Sequence, residues 1–364
     1  MIKYLYFFLI PLFISSNVYC VNNNADYEKR FDDLIEHIII PEYQSAYDKS
    51  NLLLKQSNIF CNNINQKNLN LLKKNYEISF NQWMTIQLIR FGPVNKNFRY
   101  ESIHYWPDKH NVGSKQLTKL IATKNLDIFN DGFFKNTSVA LQGFGPLERL
   151  LYGKKSNIEF FLDAELGAYR CSLIQKISSN LVNIFSEILL EWKNINTKDL
   201  ISELNQSKEK LPIHQLYYNL IINTVSYQMK IIIEYKLEKP LGLYKNKKNK
   251  RKLESWLNRS SLNNIYYNLI GINLFLKGYN NKGIYSDIEN IESKFLSINI
   301  SEQIILCQNL IKTFHNSAFD IIANDKIDNL MPLYAQLNKL FTNINEELSS
   351  EFNVQKGFNA NDGD

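Results

Sequence analysis

Apolar side chains recur every three or four residues along most of the chain, which is the spacing of one face of an α-helix. The clearest stripe runs through residues 66–91, and Gly92-Pro93 follows it as a stop signal. Similar stripes occupy residues 26–48, 160–193, 213–237, 254–276, 301–322 and 328–351. No segment sustains the alternation of apolar and polar residues that is typical of a β-strand. The pattern therefore predicts long amphipathic helices, with a bend in the first of them at Pro41.

The composition agrees with an all-α fold. The 364 residues include 13 Gly and 8 Pro, so residues that form turns are scarce. β-Sandwiches and barrels need frequent turns, whereas long helices need few. We predict two four-helix-bundle-like domains packed against each other, an N-terminal bundle over residues 21–194 and a C-terminal bundle over residues 195–364. The polar stretch 194–211 is the candidate connection, and Trp83 and Trp192 are expected in the core.

The N-terminus has the pattern of a secretory signal peptide over residues 1–20. Lys3 provides a positive charge, and residues 4–14 form an apolar stretch that is too short to span a bilayer. Cleavage is expected after Cys20. A lipid anchor at Cys20 is disfavoured because Tyr19, which precedes it, is not small. No later segment is apolar for 18 residues, so we expect an exported mature chain without a transmembrane span.

Four cysteines occur, at positions 20, 61, 171 and 307. If Cys20 leaves with the signal peptide, three thiols remain in a compartment that permits disulfides. One bridge with one free thiol is the simplest arrangement, and three free buried thiols are the alternative. No Cys-x-x-Cys motif or Cys/His cluster is present, so a structural zinc site is not expected.

The net charge of +6, from 42 basic and 36 acidic residues, is small for a chain of this length. The densest basic run lies in residues 245–252. It contains no interleaved aromatic residues and no recognised binding motif, so we interpret it as a solvated loop. Nucleic acid is therefore not an expected partner.

One interruption of the helical pattern has two interpretations. Gly143, Gly145 and Pro146 break it, and a helix restarting with Gly145 as N-cap would place Glu148 at its third position. A carboxylate there is favoured by the free backbone amides and the helix dipole. Glu148 is then a helix-start acid, or the broken helix directs it into a cleft.

Three further stretches carry more turn-forming and aromatic residues than a packed helix requires. They are the loops at 90–93 and 104–108, the segments 239–243 and 254–261, and the acidic terminus 357–364. A helix is predicted to open near residue 253, which would place Ser255, Arg259 and Ser260 in its first turns. Capping and surface pairing would explain these polar side chains without a binding role.

A set of short stretches, taken in order, resembles the imelysin-like family of exported bacterial proteins, above all its proteobacterial periplasmic branch. The resemblance covers essentially the whole mature chain. The matching stretches are Arg90-Phe91-Gly92-Pro93, Trp106-Pro107-Asp108, Gln142-Gly143 through Glu148 to Tyr152, Tyr169-Arg170-Cys171, Pro240-Leu241-Gly242, Glu254-Ser255, Ser260-Ser261 and Gly357-Phe358-Asn359 to Asp362-Gly363-Asp364.

The resemblance implies a site at the interface of the two domains, and the family's motif there is Gly-x-His-x-x-Glu. In this chain the motif reads Gly143 to Glu148, and Gly145 stands in place of the His. That change removes a strong ligand for first-row metals and leaves Glu148 as the one candidate metal ligand. The residues implied to bind a ligand are Trp106, Asp108, Gly143, Glu148, Arg149, Glu254, Ser255, Arg259, Ser260, Asn359, Asp362 and Asp364.

The resemblance also implies a location in the periplasm and a Cys61–Cys171 disulfide, since both cysteines stand at family-like positions. Some relatives belong to iron-uptake systems, and the family is also classified among metallopeptidases. We expect non-catalytic binding of a small ligand or of a metal ion such as iron or calcium. An outer-membrane or iron-transport component is the expected partner. The alternative is a metallopeptidase-like hydrolase, although none of the five His residues lies in a paired helical spacing.

The break in the helical pattern and the family resemblance together place Glu148 at the junction of the two bundles, near Trp106, Asp108, Ser260 and the C-terminal tail. Since a buried carboxylate needs a partner, Arg259 or another cation is expected beside it.

Overall fold

The chain is all-α in the computed structural model, which describes residues 24–130, 132–164, 166–206, 210–244, 247–290 and 294–355. No strand occurs among these residues. The expected signal peptide and the tail residues Asn359, Asp362 and Asp364 lie outside them. The α-helices are α1 Asn24–Leu34, α2 Ile40–Asn62, α3 Gln66–Ile86, α4 Arg99–Ile103, α5 Val112–Thr123, α6 Phe144–Tyr152, α7 Glu159–Leu162, α8 Gly167–Lys193, α9 Thr197–Leu204, α10 Ile213–Lys230, α11 Lys239–Leu241, α12 Ser261–Lys277, α13 Ile284–Asn290, α14 Lys294–Thr313, α15 Ala318–Ala323, α16 Met331–Thr342 and α17 Ser349–Glu351.

Three π-helical segments, Ile35–Ile39, Ile231–Glu238 and Asn343–Leu348, extend some of these helices. The first joins α1 to α2 directly before Pro41, where the sequence predicted a bend. Proline cannot donate a backbone hydrogen bond, and a wider turn accommodates the missing N–H without ending the helix. Short 3-10 helices occupy Gly92–Phe98, Leu126–Phe129, Phe133–Asn136, Val139–Leu141, Lys250–Lys252, Tyr279–Asn281 and Ile327–Leu330.

The apolar stripes of the helices meet in one contiguous core. α2 packs against α3 and α8, and α12 packs against α3, so helices from both halves of the chain share this core. Trp83 on α3 and Trp192 on α8 are buried, as expected. α1 packs against α10, and the Arg30 guanidinium pairs with the Asp287 carboxylate of α13. The division into bundles at residue 194 stays a prediction, and α1 contacts the second half of the chain.

A disulfide joins the end of α2 to the first turns of α8. Cys61 and Cys171 have Cα atoms 5.5 Å apart, and the bridge closes a sequence separation of 110 residues. Cys307 on α14 is free and buried. No helix of the described segments is long and apolar enough to cross a bilayer.

Candidate functional site

The site is organised around the start of α6, which begins two residues earlier than the sequence suggested. Gly143, not Gly145, is the N-cap, with a φ of 71°. A Cβ at Gly143 would lie 2.0 Å from the carbonyl oxygen of Ile103, so glycine permits both the left-handed backbone and the close approach to α4. Pro146 falls at the third helical position, where its missing N–H costs no helix hydrogen bond. The predicted register, with Glu148 third, is therefore wrong by two residues.

Glu148 lies on the buried side of α6 and contacts the segment that precedes α12. Its Oε1 accepts the backbone N–H of Leu257 at 3.0 Å and that of Asn258 at 3.2 Å. Burial raises the pKa of Glu148 to about 7, although these two hydrogen bonds favour the charged carboxylate. Glu148 thus joins α6 to a segment 109 residues later in the chain.

The segment 254–260 is a series of turns, and the helix predicted to open near residue 253 begins at Ser261 instead. Ser255 and Arg259 have positive φ values of 53° and 65°, which no α-helix accommodates. Glu148 binds two backbone amides of this segment, and the side chain of Glu254, its first residue, binds Lys236 and Asn264. These tertiary contacts override the local helical pattern.

Glu254 is fully buried in a polar cluster that the sequence analysis did not assemble. Its Oε2 lies 2.7 Å from Lys236 Nζ and accepts a hydrogen bond from Asn264 Nδ2 at 2.9 Å. His104 Nδ1 lies 3.7 Å from the other oxygen, Oε1. Lys236 also donates to the side-chain oxygens of Gln87 at 3.1 Å and Asn268 at 2.6 Å. Residues on both sides of the predicted domain boundary therefore meet in one hydrogen-bonded cluster.

The charges in this cluster depend on one another. Burial alone would raise the pKa of Glu254, but Lys236 and His104 outweigh this effect and leave the pKa below its ordinary value. Burial lowers the pKa of Lys236, against the opposing pull of Glu254. Burial also lowers the pKa of His104 to about 4, despite Glu254, so the imidazole is neutral at pH 7.

Asp108 and Arg149 form an ion pair at 3.5 Å beside α5. Asp108 also accepts the backbone N–H of Val112 at 2.7 Å and of Gly113 at 3.1 Å, which satisfies the free amides at the start of α5. Trp106 lies close by, with its ring centroid 5.9 Å from Lys236 Nζ. Trp106, Asp108 and Glu148 line one cleft.

Arg259 is not the partner of Glu148, and that expectation is wrong. Its guanidinium lies over the ring of Phe319 at 3.3 Å and 3.7 Å from the carboxylate of Asp320 on α15. The helix that would have held Arg259 in its first turn does not form, and the backbone of Arg259 is left-handed instead. Ser260 instead caps the turn locally, donating from its hydroxyl to Asn258 Oδ1 at 2.7 Å.

A cleft of about 1510 Å³ opens beside these residues. Its lining includes Trp106, Asp108, Glu148, Arg149 and Ser255 from the predicted set. Gly143, Glu254, Arg259 and Ser260 do not line it. Gly143 positions α6, and Glu254 lies beneath the cleft wall. The structure therefore brings about half of the predicted residues to one cavity and gives the others supporting positions.

The lining of the cleft is strongly basic. Ten Lys and Arg side chains face two carboxylates, whereas the whole chain has 42 basic and 36 acidic residues. Six of the ten come from the region of α5 and α6: Lys109, Lys115, Lys119, Arg149, Lys154 and Lys155. The other four come from α8, α11 and the segment before Glu254: Arg170, Lys239, Arg251 and Lys252. The basic run at 245–252, expected to be a solvated loop, thus contributes two cations to the cleft.

The donors at the cleft do not fit the metal that the family's motif implies. Gly145 lines the cleft, and a Cβ there would meet no atom within 4 Å, so a side chain would have room. Glycine has no side chain, and this position therefore supplies no metal-ligating atom. Glu148 Oε1 already accepts two backbone amides. Within the described ranges, no group of three or more His, Cys, Asp or Glu residues could hold a metal ion. Glu148 alone is not a metal site.

The model of the imelysin family matches residues 39–344. The chain belongs to the imelysin family. Two solved structures support the same fold for this family member. An imelysin-like protein from Psychrobacter arcticum 273-4 has a TM-score of 0.74 and 18% identity, over 92% of this chain and 98% of that chain. A protein from Parabacteroides distasonis ATCC 8503, named as an iron-regulated protein A precursor, has a TM-score of 0.69 and 13% identity, over 89% and 95%. No curated protein matches.

Lys236 and Arg170 are buried charges in this imelysin that the predicted site did not include, although Arg170 stands in one of the matching stretches. A signal for each was present, because a charged residue stood at a position of an apolar helical stripe. Lys236 follows Met229 and Ile232 at helical spacing, and Arg170 lies between Leu166 and Ile174. A buried charge needs a specific partner, so such positions indicate polar clusters or ligands.

Proposed function

We propose that this imelysin is an exported periplasmic binding protein that holds a small ligand in the cleft without catalysis and serves iron uptake. The observation that carries this proposal is the cleft itself. Its volume of about 1510 Å³ is ample for a small molecule. Its walls come from residues 104–170 and 235–257, so a ligand would contact both halves of the chain.

The chemistry of the cleft favours binding over hydrolysis. A metallopeptidase needs a metal with an open coordination position and a general base that reaches the attacking water. Here the motif His is Gly145, and Glu148 Oε1 is held by the amides of Leu257 and Asn258. His104 is buried, with its Nδ1 directed at Glu254. These residues support a wall that is fixed in place rather than a reactive centre.

Export and iron uptake rest on other support. The pattern of residues 1–20 is that of a signal peptide, and the Cys61–Cys171 bridge suits an oxidising compartment. One structural neighbour is named as iron-regulated. We propose an outer-membrane or iron-transport component as the protein partner.

Isothermal titration with ferric citrate, haem and calcium chloride tests the binding function, and a peptide library tests for cleavage. We expect saturable binding of an iron source and no cleavage. Gly145→Trp should weaken binding, because Gly145 lines the cleft and a large side chain there would take up part of the space for a ligand. Gly145→Ala is the matched control and should bind normally. Cleavage that is lost in Glu148→Gln would instead establish a hydrolase.

Fractionation tests the location. The full chain, expressed in a Gram-negative host, should appear in the osmotic-shock fraction with a new N-terminus after residue 20. Recovery in the cytoplasmic fraction with residues 1–20 intact would contradict export.

A further inference from the structure

The cations of the cleft have few acidic partners. Among the described residues, Arg149 forms the only ion pair of the ten cleft cations, with Asp108. Asp108 is also bound by two amides of α5, and Glu148 by two amides of the segment before α12. Both cleft carboxylates are therefore already engaged. The positive charge of the cleft is left for a ligand to balance.

Arg170 gives the most specific evidence. It lines the cleft and is only 5% exposed, yet its hydrogen bonds go to the carbonyl oxygens of Leu150 and Lys155. Its Nε has no hydrogen-bond partner, and no carboxylate in the described segments pairs with it. Burying a cation without a counter-charge is costly, and burial accordingly lowers the pKa of Arg170. An anionic group of a ligand would provide the missing counter-charge.

Aromatic rings hold other cations at the cleft without neutralising them. Lys239 Nζ lies 3.1 Å from the ring centroid of Tyr235, and the Arg251 guanidinium lies 5.7 Å from that of Trp256. A ring attracts a cation through its quadrupole but leaves the full positive charge. Lys239 and Arg251 belong to a different segment of the chain from Lys115 and Lys119 of α5, and all four line the cleft. One small monovalent anion could not satisfy them all.

We propose that the cleft binds an organic polyanion that carries two or more carboxylate or phosphate groups, one of them at Arg170. This inference rests on the proposed binding function and names its ligand class. Ferric iron would then enter the cleft as an anionic chelate, because a bare cation would be repelled by the lining. The two sources of such an anion are an iron chelate and an iron-free acid.

Titration of the mature chain with four probes tests this inference: citrate, ferric citrate, a neutral ferric trihydroxamate and calcium chloride. Lys119→Glu/Lys252→Glu reverses two exposed cations of the lining. Lys67→Glu/Lys198→Glu reverses two exposed lysines on α3 and α9, outside the lining, and so makes the same change in net charge. Arg170→Gln removes the buried charge but keeps a donor for the carbonyl oxygens.

We expect the cleft double variant to lose about tenfold or more in affinity for the anion, and the control variant to bind like the wild type. Arg170→Gln should bind the anion more weakly as well. Should Arg170→Gln fail to fold, the two exposed double variants still decide the question. Equal binding of citrate and ferric citrate would identify the free acid, and binding of ferric citrate alone would identify the chelate.

Preferred binding of the neutral trihydroxamate, unaffected by the cleft double variant, would overturn the polyanion and leave the binding function intact. Equal losses in the cleft and control variants would also overturn it, because the effect would then belong to net charge. Absence of binding by every probe would contradict the proposed function together with this inference.

Discussion

Lys236 Nζ lies 2.7 Å from Glu254 Oε2, and both side chains are buried. Gln87 directly follows α3, and its Oε1 accepts a hydrogen bond from the same ammonium. The ion pair therefore connects the π-helical segment after α10, the turns before α12 and the end of α3. This arrangement places Ser255 and the amides that bind Glu148 at the edge of the cleft.

Removing Lys236 should strongly destabilise the fold. Lys236→Met keeps the length of the side chain but leaves Glu254 buried beside a neutral His104. We expect the free energy of unfolding to fall by about 3–5 kcal/mol, because an uncompensated buried charge is costly. Urea denaturation followed by circular dichroism measures the change.

The double variant Lys236→Met/Glu254→Gln serves as the control for charge. It removes both charges, so it should be more stable than Lys236→Met alone. A double-mutant cycle then gives the coupling energy of the pair. Equal stability of the single and double variants would show that the loss comes from packing and not from the unpaired carboxylate.

Glu148 should make stability depend on pH. Burial raises its pKa to about 7 in the folded protein, above the ordinary value of 4.5. The folded state then holds the proton more tightly than the unfolded state, so this contribution to stability is full below about pH 4.5 and is lost as the pH rises through 7. The loss amounts to about 3 kcal/mol.

Glu148→Gln should remove this dependence. The stability of the variant minus that of the wild type should increase between pH 5 and pH 8, as measured by urea denaturation at each pH. Taking the difference cancels His104, whose lowered pKa acts in the opposite sense and costs stability as the pH falls from 6.5 towards 4. Glu101→Gln, at an exposed position on α4, is measured in parallel as a reference for the loss of one surface carboxylate. A constant difference for Glu148→Gln would contradict the raised pKa.

The helices could be predicted from the sequence because their apolar stripes report burial directly. The start of α12 could not, since the stripe over 254–276 continues upstream into residues that long-range contacts fold into turns. Glu148 lies more than 100 residues away and binds the amides of Leu257 and Asn258. Local pattern contains no information about such a partner.

The position of the site could be predicted only in part. The interruption at Gly143 drew attention to Glu148, which lines the cleft, because a costly break in a helix needs a local reason. The basic lining was not visible, since its cations are spread from Lys109 to Lys252 and only the fold brings them together. From the sequence a metal cation was a candidate ligand, whereas the lining of the assembled cleft favours an anion.

The two glycines of the motif should respond oppositely to alanine. Gly143→Ala would force a side chain into a left-handed backbone and against the carbonyl of Ile103, so we expect a loss of about 1–3 kcal/mol or more. Gly145→Ala adds a methyl group inside a helix and into open space, so stability should rise by about 0.5–1 kcal/mol. Thermal unfolding of both variants measures these opposite changes in stability. Unchanged stability of Gly143→Ala would contradict the close approach of Gly143 to α4.

The Cys61–Cys171 bridge should contribute much of the stability of the mature chain. It closes a loop of 110 residues between α2 and α8, and a loop of this length corresponds to about 4–5 kcal/mol in the chain-entropy model. Dithiothreitol should therefore lower the urea midpoint of the wild type and leave that of Cys61→Ala/Cys171→Ala unchanged.

Cys307→Ala is the matched control: it removes a free, buried thiol and should retain the full response to reductant. Titration of thiols in denaturant without reductant should find one, Cys307, in a chain that starts at residue 21. Three reactive thiols, with no effect of dithiothreitol on the midpoint, would show that the bridge does not form.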